Sequence, residues 1–299
     1  MAGKDTLLKQ FVASEVSKVK GIAVPVRAGV LERGMVRRVS CKKLHPNPND
    51  EFCFPEIGPS EEIVNKYVRY YSTYRMDPDE NHFEGRNGED PLFVQKIRPH
   101  GYMILNGHHR WAAAVRVGKN SLPVRIINLT QEKDVRMALE HSRHDRRVTM
   151  DLEEVVYATK DHDQMEKPLH FPRNLIYRER LHLGIPALFS FFSTRGYDIW
   201  LYSAGYESMD YVMELLKGYH TRVTGIITGT ARKNPRDGKS WETMEQLMKQ
   251  KYEQTIHIDV HQMICIDNRT GGFREFPLAE GPGWAAQIME AMGEVLKDG

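Results

Sequence analysis

The chain has 299 residues, 40% of them hydrophobic, and a mean hydropathy of -0.53. This length suggests two domains of about 150 residues each, and no apolar run approaches the roughly 20 residues that cross a bilayer. The N-terminus lacks the apolar region of a signal peptide, and the three cysteines, Cys41, Cys53 and Cys265, have no CxxC spacing. We therefore expect a cytoplasmic protein without a membrane partner, a disulfide framework or a cysteine-rich metal site.

The formal net charge of +2 conceals an uneven distribution of charged residues. Residues 1–147 contain 25 Lys and Arg against 18 Asp and Glu, whereas residues 148–299 contain the remaining 17 against 22. A mildly basic half suits a ligand that carries phosphate. Ordinary variation of surface residues explains the charge difference between the halves equally well. The excess falls far short of the dense basic stripe that a dedicated DNA-binding protein carries.

Hydrophobic periodicity predicts alternating helices and strands in the first half. Residues 6–19 form an amphipathic helix, either a docking arm or an appended core helix. His45–Asp50 has two prolines too close together for regular structure, and residues 77–91 are acidic, as in a mobile loop. The other predicted elements are strands at Ile22–Val26, Met35–Val39, Phe93–Ile97, Tyr102–Leu105 and Leu122–Ile127, and helices at Glu61–Tyr74, Trp111–Val117 and Gln131–Arg143.

The second half repeats a strand-then-helix order, which predicts an α/β fold with a Rossmann-like, doubly wound parallel sheet. In such sheets the ligand site lies at the carboxyl ends of the strands, and polar residues stand at those ends here. The predicted elements are strands at Val148–Met150, Asp198–Tyr202, Val223–Ile227 and Thr255–Asp259, and helices at Met209–Leu216, Trp241–Lys251 and Trp284–Leu296.

A candidate phosphate site follows the predicted strand Tyr102–Leu105. Asn106 and Gly107 lead into an alanine-rich helix, whose start directs backbone N–H groups and the positive end of the helix dipole at one spot. Gly107 permits a tight turn and the close approach of an anion. Arg110 offers a planar fork for phosphate, and His108 and His109 could donate to phosphate or transfer a proton. The alternative is a helix start whose histidines only cap it and cover the surface.

Residues 106–118, followed by Leu122-Pro-Val-Arg-Ile126, resemble the signature of the ParB/sulfiredoxin superfamily. Leu44-His-Pro-Asn-Pro48 and Pro91-Leu-Phe-Val94 stand where that family has its first loop and second strand, so the resemblance covers roughly residues 22–130. It implies an α+β domain that binds the phosphates of ATP or another nucleotide on Gly107–Arg110. Family members include CTP-hydrolysing partition proteins, ATP-dependent sulfinic acid reductases and kinases of free serine.

The residues distinguish these branches of the family. Sulfinic acid reductases have a cysteine in the loop where this chain has His108 and His109, and partition proteins continue with a helix-turn-helix module instead of a strand–helix alternation. The Gly-His-His-Arg form is most similar to the kinase-type members. An acidic side chain near the first loop of those kinases activates the acceptor hydroxyl, and the resemblance implies Asp50 or Glu51 for this role. A solvated loop carboxylate is the alternative.

The second half resembles the haloacid dehalogenase superfamily. Asp151 and Glu153 match its first motif, in which the first carboxylate is the nucleophile and the second protonates the leaving group. Ser203 ends a strand, as does the second-motif hydroxyl that binds the phosphoryl group. Lys239 resembles the third-motif lysine that neutralises phosphoryl charge. Asp259 stands where the fourth-motif acid binds Mg²⁺ together with the first aspartate.

Two residues depart from that pattern: Val260 replaces a second fourth-motif acid, and Glu153 is one methylene longer than the usual aspartate. The resemblance therefore implies either a working phosphatase or a degenerate domain with a structural or ligand-sensing role. Together the two resemblances divide the chain into an N-terminal helix (1–21), a ParB/sulfiredoxin-like α+β domain (22–145) and a haloacid dehalogenase-like domain (146–299).

The predicted function is nucleotide-dependent phosphoryl transfer by a kinase-like domain joined to a phosphatase or pseudo-phosphatase domain. ATP or another nucleotide and Mg²⁺ are the implied cofactors, and the acceptor is an unknown small molecule or protein. A nucleotide-gated DNA-binding or regulatory protein of the ParB type is the alternative, in which nucleic acid becomes a partner. A nuclease is a third reading, which no metal cluster in the sequence supports. Both a monomer and a homodimer remain open.

Overall fold

The computed structural model describes residues 2–73, 90–99, 101–158, 164–230 and 239–296, with side chains throughout except at 2–6, 73 and 239–242. The chain forms two compact units, the first built mainly of Met1–Asn128 and the second of Leu129–Lys233 and Gly238–Gly299. Both units combine helices with a mixed sheet. No helix in the described ranges is long and apolar enough to span a membrane.

The first unit is an α+β arrangement around one sheet. Its strands lie in the order β2-β6-β4-β5-β3, and β1 pairs with β4. The elements in chain order are α1 (Ala2–Ser17), β1 (Val24–Pro25), α2 (Val30–Arg33), β2 (Arg37–Ser40), β3 (Leu44–Pro46), α3 (Glu61–Thr73), β4 (Leu92–Arg98), β5 (Tyr102–Asn106), α4 (His108–Arg116) and β6 (Ser121–Ile126).

Helix α4 packs its alanine-rich face into the core of the first unit. Ala112, Ala113 and Ala114 are buried, as the small side chains predict for a helix lying close to a sheet. Helix α1 joins the same core, because Phe11 stacks on Trp111 with 5.5 Å between ring centroids. Since Leu8 is buried as well, α1 is an appended core helix and not a docking arm.

Two predictions for the first unit are corrected. His45–Asp50 was expected to lack regular structure, but Leu44–Pro46 forms β3. A strand tolerates Pro46 there because β3 lies at the edge of the sheet, where one side needs no hydrogen bond. Helix α4 begins at His108 instead of Trp111, because the Trp111 N–H already donates to the Gly107 carbonyl at 3.0 Å. Of the predicted acidic loop, residues 77–89 lie outside the described part of the chain.

The second unit has one sheet with strand order β12-β11-β10-β7-β8-β9. Buried side chains of α6, α7 and α9 pack on one face of this sheet, and those of α5 and α8 pack on the other. The elements in chain order are α5 (Glu132–His141), β7 (Arg146–Asp151), α6 (Ile185–Thr194), β8 (Tyr197–Ser203), α7 (Met209–Gly218), β9 (Gly225–Thr228), α8 (Lys239–Lys251), β10 (Gln254–Ile258), β11 (Gln262–Asp267), β12 (Phe273–Pro277) and α9 (Trp284–Val295).

The prediction of a wholly parallel sheet is wrong for part of the second unit. Strands β10, β7, β8 and β9 are parallel, whereas β11 and β12 are antiparallel to their neighbours. The Asp259 N–H donates to the Gln262 carbonyl at 2.9 Å, and only Asp259, Val260 and His261 lie between β10 and β11. So short a connection can only return the chain as a hairpin.

The chain passes from the first to the second unit at Asn128/Leu129, well before the predicted boundary at residue 145. Thr130 explains this difference, because it pairs with the outer edge of β9. Its hydroxyl donates to the Ile226 carbonyl at 2.6 Å, and its N–H donates to the Thr228 hydroxyl at 3.1 Å. Helix α5 then packs against α8, so the segment before β7 belongs to the second core.

Candidate functional site

The start of α4 is built around Gly107, which only glycine can occupy. Its φ of 99° lies in the left-handed region. A Cβ atom at this position would lie 2.3 Å from Leu92 Cδ2 and 2.9 Å from an Arg110 guanidinium nitrogen. The absence of a side chain therefore permits both the turn from β5 into α4 and the packing of the Arg110 guanidinium over the backbone.

His108, His109 and Arg110 form the first turn of α4 and diverge, because successive helical residues are rotated by about 100°. His108 points inward and is only 3% exposed. Its Nε2 accepts the Asn47 N–H at 3.2 Å, and its Nδ1 lies 3.6 Å from Asp50 Oδ1. An Nε2 that accepts a hydrogen bond places the proton of the neutral ring on Nδ1, toward the Asp50 carboxylate.

His109 attaches the start of α3 to α4. Its Nε2 accepts the Ser60 N–H at 3.1 Å. The ring of Phe52 packs against both imidazoles, with centroids 5.3 Å from His108 and 4.9 Å from His109. The sequence analysis did not identify Phe52, Asn47 or Ser60 as part of this site. The signal that could have pointed to Phe52 is an aromatic residue beside a polar, proline-containing loop.

Arg110 directs its fork toward the residues that precede β4. One terminal nitrogen donates to the Asp90 carbonyl at 2.7 Å, and the other lies 3.5 Å from the Pro91 carbonyl. The guanidinium has five N–H groups, so these contacts leave donors for an anion above Gly107. The first amides of α4 are not capped by a side chain either, because the cap residue Gly107 has none that could accept from them.

The other predicted residues of the first unit have different surroundings. Asp50 accepts the Phe52 N–H at 3.1 Å and lies beside His108, so the structure brings this carboxylate to the start of α4. Glu51 is exposed on the following 3₁₀ turn, and Asn106 is exposed at the end of β5. Burial, with a smaller contribution from Asp50, raises the pKa of the neighbouring Cys53 thiol to about 12, so thiolate chemistry is disfavoured there.

Acidification is expected to weaken the attachment of α3 through His109. Burial lowers the pKa of His109 below its usual 6.5, although the charge of Asp50 opposes this shift. The unfolded chain therefore takes up a proton first, and the stabilisation, fully present above pH 6.5, is lost as the pH falls toward the lower folded pKa. His109→Gln keeps an acceptor but cannot be charged. Urea midpoints at about pH 7.5 and about pH 5.5 should differ less for this variant than for the unchanged protein. Equal differences in urea midpoint for the variant and the unchanged protein would show that His109 does not cause the loss of stability at low pH.

In the second unit, Asp151 and Asp259 stand at the same edge of the sheet. The parallel strands β7 and β10 pair Met150 with Ile258, and the two aspartates are the next residues along. Asp151 accepts the Glu154 N–H at 2.8 Å. Aspartate carboxylates are among the oxygen ligands that Mg²⁺ takes in proteins. Within the described ranges no group of three or more His, Cys, Asp or Glu side chains is arranged to hold a metal.

Ser203 and Glu153 are in direct contact at the carboxyl end of β8. The buried Ser203 hydroxyl donates to the Glu153 carboxylate. The same carboxylate accepts the Ala204 N–H at 3.3 Å and the Gly205 N–H at 3.4 Å. The structure thus brings together Asp151, Glu153, Ser203 and Asp259 at one edge of the sheet. Lys239 begins α8, but its side chain lies outside the described residues.

Residues 85–143 match the family described as the ParB N-terminal domain. The matched segment includes β4, β5, α4, β6 and α5, and hence the candidate phosphate site at Gly107–Arg110. The match supports the ParB/sulfiredoxin part of the resemblance and the α+β description of the first unit. No curated protein matches the chain.

Proposed function

We propose that this chain is a nucleotide-dependent phosphoryl-transfer protein. The observation that supports this proposal is the start of α4, which lies within the matched ParB-type segment. Gly107, the first helical amides and the Arg110 guanidinium lie together there. Backbone N–H groups at a helix start and a planar guanidinium are the donors that phosphates accept. A nucleotide would supply the phosphoryl group, and the amides of His108–Arg110 with the Arg110 fork would hold its phosphates.

Asp50 is the proposed base for the acceptor hydroxyl. Its carboxylate is partly shielded, with 11% of the side chain exposed, and lies 3.6 Å from the His108 ring. Before the transfer, the His108 Nδ1 beside Asp50 would stabilise its carboxylate form. The proton accepted from the alcohol would then reside on Asp50. Glu51 is the weaker candidate because it is exposed to solvent. The His108 ring itself acts in this proposal as a positioning group, since its Nε2 binds the Asn47 amide.

The second unit is proposed to be haloacid dehalogenase-like, with Mg²⁺ at Asp151 and Asp259. The order of the parallel strands, β9-β8-β7-β10, supports this proposal. The chain adds β8 and β9 on one side of β7 and then places β10 on its other side, so the strand order switches between β7 and β10. Ligands of doubly wound sheets bind at such a switch point. Whether it is a phosphatase or a pseudo-phosphatase is decided by Mg²⁺-dependent release of phosphate from a generic phosphoester. Release that Asp151→Asn removes would identify a phosphatase, and no release by the unchanged protein would support a degenerate domain.

Titration calorimetry with a panel of nucleotides, with and without Mg²⁺, tests the first unit. We expect at least one nucleoside triphosphate to bind and Arg110→Ala to weaken its binding about a hundredfold, because charge-assisted hydrogen bonds to phosphate are lost. Arg116→Ala is the matched control, since Arg116 lies on the same helix and is paired with Glu61 at 2.8 Å. Arg110→Lys keeps the charge without the fork and should give an intermediate loss. Undiminished binding by Arg110→Ala would contradict the proposal.

A nucleotide-gated DNA-binding protein of the ParB type is the second candidate. The match to the ParB N-terminal domain is the observation that favours it. The second unit argues against it, because a sheet covered by helices on both faces follows the matched segment. A salt-sensitive shift of duplex DNA that depends on nucleotide would favour this candidate, and the absence of binding at low salt would exclude it.

A further inference from the structure

The carboxyl end of β8 forms a cradle for an anion. Three donors converge there from consecutive residues: the hydroxyl of Ser203 and the backbone N–H groups of Ala204 and Gly205. Ser203 is fully buried, which fixes its hydroxyl at the base of the cradle. A buried hydroxyl beside two successive backbone amides is an arrangement that stabilises negative charge.

The occupant of this cradle is a carboxylate of the same chain. Glu153 reaches the three donors from the turn that follows β7, and its side chain is otherwise exposed. The two amide contacts of 3.3 and 3.4 Å are longer than the 2.9–3.0 Å that N–H···O bonds usually have. Glu153 therefore makes only long contacts with the two amides. An exposed side chain also needs little rearrangement to leave.

Gly205 sets the width of the cradle. A Cβ atom at this position would lie 3.2 Å from a Glu153 carboxylate oxygen and 3.8 Å from the Ser203 hydroxyl. A side chain at residue 205 would thus crowd any anion that replaces Glu153. The backbone of Gly205 does not have a positive φ, so alanine can be introduced there without conformational strain.

We propose that Glu153 is an internal competitor that closes the cradle, and that the phosphate group of a ligand binds only by displacing it. The inference rests on the proposed function in taking phosphate as the anion. A phosphate group offers more oxygen acceptors than the two of a carboxylate and carries at least as much negative charge. Glu153 thereby excludes weakly held anions and admits ligands whose other contacts offset its displacement.

Binding of inorganic phosphate to the full chain, followed by ³¹P nuclear magnetic resonance, tests this inference. Glu153→Ala is expected to tighten phosphate binding about tenfold, because the donors no longer have a competing carboxylate. Glu154→Ala is the matched control, since it removes the same charge from the exposed neighbouring residue and should leave binding within about twofold. Glu153→Gln, which keeps the shape without the charge, should also tighten binding and serves if Glu153→Ala fails to fold.

Gly205→Ala in the Glu153→Ala background provides the opposite test, because crowding of the cradle should remove the gained affinity. Equal phosphate binding by the unchanged protein, Glu153→Ala and Glu153→Gln would overturn the inference, as would an equal gain in Glu154→Ala. Failure of the proposed nucleotide function is seen separately, since nucleotide binding is measured with Arg110 variants in the first unit. Tighter phosphate binding by Glu153→Ala without any nucleotide binding would uphold the cradle and refute the nucleotide proposal.

Discussion

Gly107→Ala is expected to destabilise the first unit by about 2–5 kcal/mol, with left-handed backbone strain and overpacking both contributing. The added methyl group would lie 2.3 Å from Leu92 Cδ2, and Leu92 is packed in the core with 1% of its surface exposed. It would also meet the Arg110 guanidinium at 2.9 Å and displace it. Nucleotide binding should therefore be lost together with stability.

Gly118→Ala separates the two causes of this effect. Gly118 follows the other end of α4 and also has a positive φ, 74°, but a Cβ atom there would have no heavy atom within 4 Å. Its replacement should cost only the backbone strain, about 1–2 kcal/mol, and leave nucleotide binding intact. Urea unfolding followed by circular dichroism measures both variants. Equal losses for the two glycines would show that contact with Leu92 and Arg110 does not matter.

The sequence predicts the local frame of the candidate phosphate site. The apolar run before Asn106 and the alanines after Arg110 predict a strand, a turn and a packed helix, because burial periodicity and small residues act over neighbouring positions. The partners of the two histidines could not be predicted in this way. Asn47 and Ser60 reach His108 and His109 from loops far along the chain, and such contacts depend on how the whole unit packs.

The second unit shows the same division between local and distant information. Asp151, Ser203 and Asp259 were predicted at strand ends, and the parallel strands bring these ends to one edge of the sheet. Helix α6 was missed because its apolar residues leave little polar face from which to recognise helical periodicity. The contact between Glu153 and Ser203 was missed as well, since the direction of a side chain on a turn cannot be inferred from spacing.

A hydrogen-bonded cluster at the opposite end of β8 holds a buried charge that the sequence did not single out. Asp198 is 4% exposed. One of its oxygens lies 3.0 Å from His144 Nδ1, and the other accepts the Tyr252 hydroxyl at 2.5 Å. Tyr252 in turn accepts the Trp200 indole N–H at 2.8 Å. Burial chiefly, and then Asp198, raises the pKa of Tyr252, so its hydroxyl stays protonated and donates.

Asp198→Ala should destabilise the second unit by about 3–5 kcal/mol, because removing one member of a buried, charge-assisted cluster leaves the others without partners. Asp198→Asn keeps the shape but replaces one acceptor oxygen by a donor, so it should lose part of this amount. Asp145→Ala is the control, since its exposed carboxylate lies 3.8 Å from Arg146 and should matter by less than about 0.5 kcal/mol. Urea unfolding of the full chain measures all three. A loss below about 1 kcal/mol in Asp198→Ala would mean that water replaces the carboxylate at no cost, and that the cluster does not stabilise the sheet.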